Sequence, residues 1–315
     1  MGRKILRVGA FLLGLLLLLW GLAPIFVPKD NTDWAGMHNV NANSILAEPE
    51  NTIDVLFLGD SEAYCAFIPM RLWKNAGIPA YVCSSVDQKL YETEQFLHTA
   101  FEKQRPKVVV LETNVLYRVY PSTDTIAPAV ETWLPLFRYH DRWKSLTLAD
   151  FTGRPNYTHV RADKGYHLIT AVEPADTEGY MRPMEEWEPL SRDNLRYLRR
   201  IREFCREQGA ELILFSSPSP ANWTVRRHNT VTDVAEALEV TFLDGNLMAD
   251  EIPIDWQRDT SDGGDHLNYY GACKVTDFFP ALLKRRGDLP DRRGEEAYAQ
   301  WDDCLARFEA TLPQS

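Results

Sequence analysis

Cysteine is scarce in this chain, and nothing in its placement suggests pairing. The five cysteines among 315 residues (Cys65, Cys83, Cys205, Cys273 and Cys304) are odd in number, widely spaced and contain no C-x-x-C. That excludes a zinc ribbon and a dense disulfide framework. Phosphate-binding motifs are missing as well: there is no G-x-x-x-x-G-K-[ST], no G-x-G-x-x-G, and no G-x-S-x-G nucleophile elbow. A basic surplus is also lacking. With 34 Lys and Arg against 45 Asp and Glu, the formal charge is -11, which argues against a nucleic-acid partner, since phosphate binding needs a basic surface. The arginine-rich stretch RYLRRIREFCRE is interleaved with acids and reads as the solvated face of a helix. No internal repeat or low-complexity tract is visible.

What the chain does have begins at its N-terminus. Arg3, Lys4 and Arg7 precede a stretch from Val8 to Val27 that holds no charge. Twenty such residues in a helix span about 30 Å, the thickness of a hydrocarbon core. The basic flank predicts that end inside and the chain after Pro28 outside the cytoplasm. A cleaved signal peptide is the competing reading, but LAPIFVPKD offers no small-x-small cleavage site and no cysteine for lipid attachment. The sequence thus predicts a membrane anchor over 1–28 and a polar linker over 29–51.

From residue 52 a βα rhythm sets in. IDVLFLG (53–59), IPAYVCS (78–84), KVVVLETN (107–114), AELILFSS (210–217) and VTFLDGN (240–246) are short apolar runs of the kind expected of strands covered on both faces. Helices are predicted over 89–104, over 191–209 with Ser191 as N-cap and Gly209 as stop, over 232–239 and over 271–287, where Pro280 should kink or end the helix. Residues 118–190 break the rhythm with prolines and aromatics and read as an insertion over one sheet edge. An amphipathic helix closes the chain within 291–315. The expected fold is a three-layer α/β/α sandwich with a mostly parallel sheet over 52–290.

In such sheets ligands bind at the carboxyl ends of strands, and there Gly59-Asp60-Ser61 follows the first strand. Ser61 is either a nucleophile or a serine that merely caps the next helix. A nucleophilic serine needs a base, an acid to orient that base, and donors for the oxyanion. SDGGDHLNYYG supplies His266 in an Asp- and Gly-rich loop, with Asp262 and Asp265 as the acids at hand. Asp60 reads as a structural hydrogen-bonder, and His228 as a pocket residue or a helix cap. A rival use of Asp259, Asp262, Asp265 and His266 is to hold a cation. No metal is expected, because the glycine pair fits a tight catalytic loop equally well.

Taken together, GDS at 59–61, LETNVLY at 111–117 and DGGDHLNYYG at 262–271 resemble the SGNH/GDSL hydrolase superfamily, in its membrane-anchored bacterial form, over about 52–117 and 191–286. The resemblance implies a flavodoxin-like SGNH fold, a Ser61–His266–acid triad, Asn114 as an oxyanion donor and no cofactor. Two departures stand out. YVCSSVDQK lacks the second-block glycine, leaving the backbone N–H of Ser84 or Ser85 to serve. The family's acid lies three residues before its histidine, where Gly263 stands here; of its neighbours Asp262 is preferred to Asp265. Trp223 and His228 are further pocket candidates. The expected activity is an extracytoplasmic, membrane-tethered esterase or O-acyltransferase. Its substrate would be an acylated cell-surface or cell-wall polysaccharide, acetylated by expectation, with a membrane-bound acyl-transfer partner. A non-catalytic accessory to polymer export and a lipase are the alternatives. Trp133, Tyr139, Trp143, Tyr157 and Tyr166 in the insertion favour a sugar-lined cleft over an apolar trench.

Overall fold

The structure is a computed structural model that describes residues 2–119, 130–131, 134–287 and 289–313. Trp133, one of the aromatics named above, lies outside the described residues. By contacts the chain divides into two units, one of residues 1–40 and 120–159 and one of residues 41–119 and 160–315.

The smaller unit holds helix α1 (Gly2–Phe26), which is long and apolar enough to cross a membrane, as a signal sequence also would be. Its leucines stand exposed, Leu13 and Leu17 at more than half of their surface. Beyond α1 the unit is organised by one buried ion pair. Arg142 donates to Phe26 O at 2.6 Å and to Asp150 Oδ1 at 2.7 Å. Gly36 lies against this arginine with φ +76°, and a Cβ there would come within 2.8 Å of its Nε. Tyr139 is buried, Tyr157 donates to Pro28 O, and Trp143 is exposed.

The larger unit is a five-stranded, all-parallel sheet ordered β2-β1-β3-β4-β5. The strands are β1 (Val55–Gly59), β2 (Ala80–Ser84), β3 (Val108–Glu112), β4 (Glu211–Ser216) and β5 (Thr241–Asp244). Side chains alternate across the sheet. Val55, Phe57, Val108, Val110, Ile213 and Phe215 face one core, which α2 (Ser61–Ala66), α3 (Pro69–Ala76) and α7 (Tyr269–Gly287) close with Phe67, Leu72, Val275 and Phe279. Phe57 stacks on Phe67 at 4.2 Å, and Phe279 meets both edge-on. The opposite face carries α4 (Leu90–Phe101) and α5 (Arg192–Glu207), which pack on each other through Phe101 and Phe204. Helix α6 (Val225–Leu238) lies against β5, and α8 (Ala299–Glu309) against α3.

Three local expectations are corrected. Helix α7 does not end at Pro280 but continues to Gly287, because Phe279, Leu282 and Leu283 on either side of it are locked into the core and packing outweighs the lost hydrogen bond. Helix α6 starts seven residues earlier than the pattern suggests, capped by Thr224. Helix α3, not anticipated, has Pro69 in its first turn and Gly77 at φ +65° after its last. All five cysteines are free.

Segment 160–190 of this unit carries none of these strands or helices and runs as a strap. His167 N donates to Tyr64 O, Tyr269 N to Ile169 O, Glu173 N to Thr260 O and Ala175 N to Trp256 O. Tyr166 is buried edge-on to Phe308. It belongs to the core, and the sequence expectation that it lines a sugar cleft is corrected.

Candidate active site

The strand order reverses between β1 and β3, which run on either side of the crevice where parallel sheets of this order bind ligands. Gly59 ends β1 with φ +151°, and a Cβ there would lie 2.8 Å from Glu112 Cβ and 2.9 Å from Ala63 Cβ. Only glycine lets β1 approach β3 this closely while turning into α2. Asp60 follows as the N-cap, its Oδ1 accepting from Glu62 N at 3.1 Å. Ser61 is therefore the first helical residue and not the cap. Its own N–H belongs to the helix terminus, where the ladder offers no partner. Beside it, burial and the neighbouring Cys65 and Asp60 push the Tyr64 phenol up to about 12.

Asp60, fully buried, also organises the oxyanion candidate. Its Oδ2 accepts from Asn114 Nδ2 at 3.0 Å and from Arg118 Nε at 2.5 Å. One amide hydrogen of Asn114 remains to donate, and the amide cannot flip because Arg227 Nη1 donates to Asn114 Oδ1 at 3.2 Å. Arg227 is itself held by Glu188 at 3.0 Å and over the Tyr117 ring at 4.3 Å. Ser84 ends β2 in register with Gly59, and its Oγ is buried without a partner.

Across the crevice stands the His266 loop. Gly263 and Gly264, at φ +69° and +96°, curl it so that the carboxylate of Asp262 takes both the backbone N–H and the imidazole of His266. These contacts are 2.6 Å to the amide and 2.7 Å to Nδ1. A carboxylate accepts only, so Nδ1 carries the proton. Asp265 Oδ1 lies 3.7 Å from the same nitrogen. His266 Nε2 is buried and has no hydrogen-bond partner among the described residues, so the Ser61–His266 hydrogen bond is not formed. Such bonds often tighten only with substrate bound. The loop is pinned from behind by Asn268, whose Nδ2 donates to Arg258 O and Thr260 O and whose Oδ1 accepts from Tyr270 N and Gly271 N at the head of α7.

Asp262, Asp265 and His266 place ligand atoms within 4.8 Å of one another. Asp259 stands apart from them, its Oδ2 accepting from Lys274 Nζ and Asp255 N. His228 and Trp223 converge on one acceptor: His228 Nδ1 and Trp223 Nε1 both donate to Asp244 Oδ2, at 2.7 and 2.9 Å. Trp223 is buried, so its indole packs and does not line an open pocket. Sequence reasoning missed Asn222, Arg227, Asn268, Glu62 and Glu112. Of these only Asn268 carried a local signal, an Asn shortly before a predicted helix.

Two buried acids stand between β1, β3 and α2. Burial, and then the charges of Glu112 and Asp60, push Glu62 well above the ordinary range. Burial and the Asp60 charge push Glu112 up to about 8, against backbone donations from Ser217 and Asn114. In the folded state Glu112 thus holds a proton that the unfolded chain releases near 4.5. The folded form binds more protons between these limits, so stability present below pH 4.5 is lost as pH rises toward about 8. Thermal melts over this window are expected to show a falling Tm, with a shallower fall in Glu112→Gln.

No protein-family model matches the chain, and no curated protein matches it. Among solved structures it is similar to a psychrotrophic esterase from Pseudoalteromonas sp. inhibited by monoethylphosphonate (11% identity, 73% of this chain and 96% of that one, TM-score 0.40). An acetyl xylan esterase (13%, 73% and 100%, 0.39) and the lipase/acylhydrolase from Enterococcus faecalis (11%, 74% and 97%, 0.37) are others. At these identities and scores the likeness assigns no residue a role. The site stands on its own geometry.

Proposed function

We propose that this chain is an SGNH/GDSL-type serine esterase or O-acyltransferase, tethered to a membrane by α1 with the larger unit outside the cytoplasm. The observation that carries the reading is His266. Its Nδ1–H is fixed on Asp262 while its Nε2 is buried and free, in a loop that Asn222 links to the helix bearing Ser61.

In this reading Ser61 Oγ attacks an ester carbonyl while His266 Nε2 takes its proton, and Asp262 stabilises the imidazolium. The carbonyl electrons move to an oxyanion that meets the N–H of Ser61, the free amide hydrogen of Asn114 and the backbone near Ser84. Collapse expels the alcohol, protonated by His266, and leaves an acyl-Ser61. Water or a sugar hydroxyl then takes the acyl group by the reverse sequence. A polysaccharide bearing acetyl esters fits a tethered enzyme whose substrate lies at the cell surface.

The test is full-length protein in detergent incubated with acetylated polysaccharide, following released acetate and acetyl transfer to added acceptor sugars. Neither product above the level of a Ser61→Ala control would sink the reading. Within it the contact of Asp262 with His266 Nδ1 supports Asp262 as the acid. Asp262→Asn is expected to lower kcat by about 10²- to 10⁴-fold through loss of the correct tautomer. Asp265→Asn is expected to stay within about threefold of wild type, as only a contact near 4 Å is lost. Equal losses in the two variants would overturn the assignment.

A further inference from the structure

Asn222 lies in the loop between β4 and α6, yet it contacts Glu62, Asp265 and Arg227, each next to or bonded to a candidate site residue. Its Nδ2 donates to Glu62 Oε1 at 2.7 Å and, in a short hydrogen bond, to Asp265 Oδ1; it also lies 3.5 Å from Asp265 O. Its own carbonyl accepts from Arg227 Nη1 at 2.6 Å, the nitrogen that also donates to Asn114 Oδ1. One primary amide therefore joins the residue after Ser61 to the residue before His266, and its backbone is braced to the oxyanion candidate.

The need for such a brace follows from the loop itself. Two carboxylates face His266 Nδ1, Asp262 at 2.7 Å and Asp265 at 3.7 Å, and both are about two-fifths exposed. Rotation of Asp265 toward the ring would split the imidazole between two acceptors of different direction and misaim Nε2. We propose that Asn222 is a positioning residue that clasps Asp265 to Glu62, so that Asp262 alone orients His266. The inference rests on the Ser61–His266–Asp262 reading above. An amide has two hydrogens, and each here goes to one acid, so both donors are used. Glu62 accepts through Oε1 alone, its Oε2 being buried and unpartnered. Glutamine offers the same acceptor at the same place.

Full-length protein in detergent gives two readouts. One is the downfield proton resonance of the His266 Nδ1–H on Asp262, recorded in a Ser61→Ala background. The other is kcat and KM for p-nitrophenyl acetate with Ser61 intact. Asn222→Ala and Glu62→Ala are expected to broaden or abolish the resonance and to lower kcat about 10- to 100-fold with KM within about twofold, as loss of outer partners of a site histidine does. Glu62→Gln is expected to keep both near wild type. Adding Asp265→Asn to Asn222→Ala removes the competing charge and is expected to restore the resonance and most of kcat, which a merely structural role for Asn222 would not allow. An Asn222→Ala protein with an unchanged resonance, or one that Asp265→Asn does not rescue, overturns the inference. If Asn222→Ala does not fold, the contrast of Glu62→Ala with Glu62→Gln decides the same question. Turnover that is equal in wild type and Ser61→Ala fails the esterase reading instead, while the resonance still decides the role of Asn222.

Discussion

Ser61→Ala is expected to lower kcat/KM for an activated acetyl ester by about 10⁴-fold or more, the scale on which removal of a serine nucleophile acts. Its stability is expected to stay within about 0.5 kcal/mol of wild type, as for substitutions away from caps and cavities. The pairing of a large catalytic loss with a small thermodynamic one follows from who caps α2. Had Ser61 been the N-cap, its removal would cost about 1 kcal/mol and catalytic loss would be confounded with damage to the helix. The cap is Asp60, through Glu62 N. Asp60→Ala therefore serves as the reciprocal variant. It strips the cap and leaves Asn114 Nδ2 without its buried acceptor, while Arg118 keeps Asp87 at 3.0 Å, so it is expected to destabilise by about 2 kcal/mol or more, since an unpaired buried amide adds to the lost cap. Denaturant melts beside p-nitrophenyl acetate assays separate the two residues. Retained turnover in Ser61→Ala, with Asp60→Ala as stable as wild type, would exchange their roles and remove the nucleophile.

The question of nucleophile against cap was open in the sequence because both readings need the same residue types at the same spacing. Three features were nonetheless legible. β1, β3 and β4 announced themselves as unbroken apolar runs, since a parallel strand is covered on both faces. Gly59 stood where a turn needs it, and His266 stood in a loop before a helix. The sequence preferred Asp262 to Asp265 without fixing the choice, since Gly263 occupies the place three residues before His266. In the structure two consecutive positive-φ glycines turn Asp262 back onto its own loop. The brace around the site was not legible at all. Arg227 reaches Asn114 across 113 residues and Asn222 reaches Glu62 across 160; no local periodicity encodes such pairs. Helix α3 was missed although Pro69 and Gly77 bracket it, because its eight residues are too few to show a helical period. Pro280 misled for the opposite reason: its local rule is sound, and the packing of α7 overrode it.

The second large effect concerns a pair far from the chemistry. Lys164 Nζ lies 2.7 and 2.9 Å from the two oxygens of Glu48, both side chains wholly buried, with the Trp301 ring 4.6 Å from the ammonium. Gln300 adds a donor to Glu48 at 3.3 Å. Burial raises the Glu48 carboxyl, and the Lys164 charge works against that rise. The pair fixes more than itself. Lys164 O accepts from Val82 N at 2.9 Å on the outer edge of β2, and Gly165 presses so closely that a Cβ there would lie 2.1 Å from Val82 O. The segment before β1, the turn at 163–166 and the start of α8 thus clamp the strand that ends at Ser84. Lys164→Ala or Glu48→Ala is expected to cost about 3–5 kcal/mol, because each leaves an uncompensated buried charge. At the scale of this chain that is a Tm fall of about 5–8 °C. The double variant Glu48→Gln, Lys164→Met removes both charges while keeping volume, and is expected to recover most of the loss. Additive losses in that cycle would show that the two side chains act independently. Recovery of stability with turnover still reduced would place the function of the pair in the position of β2, and so in the oxyanion donor proposed near Ser84.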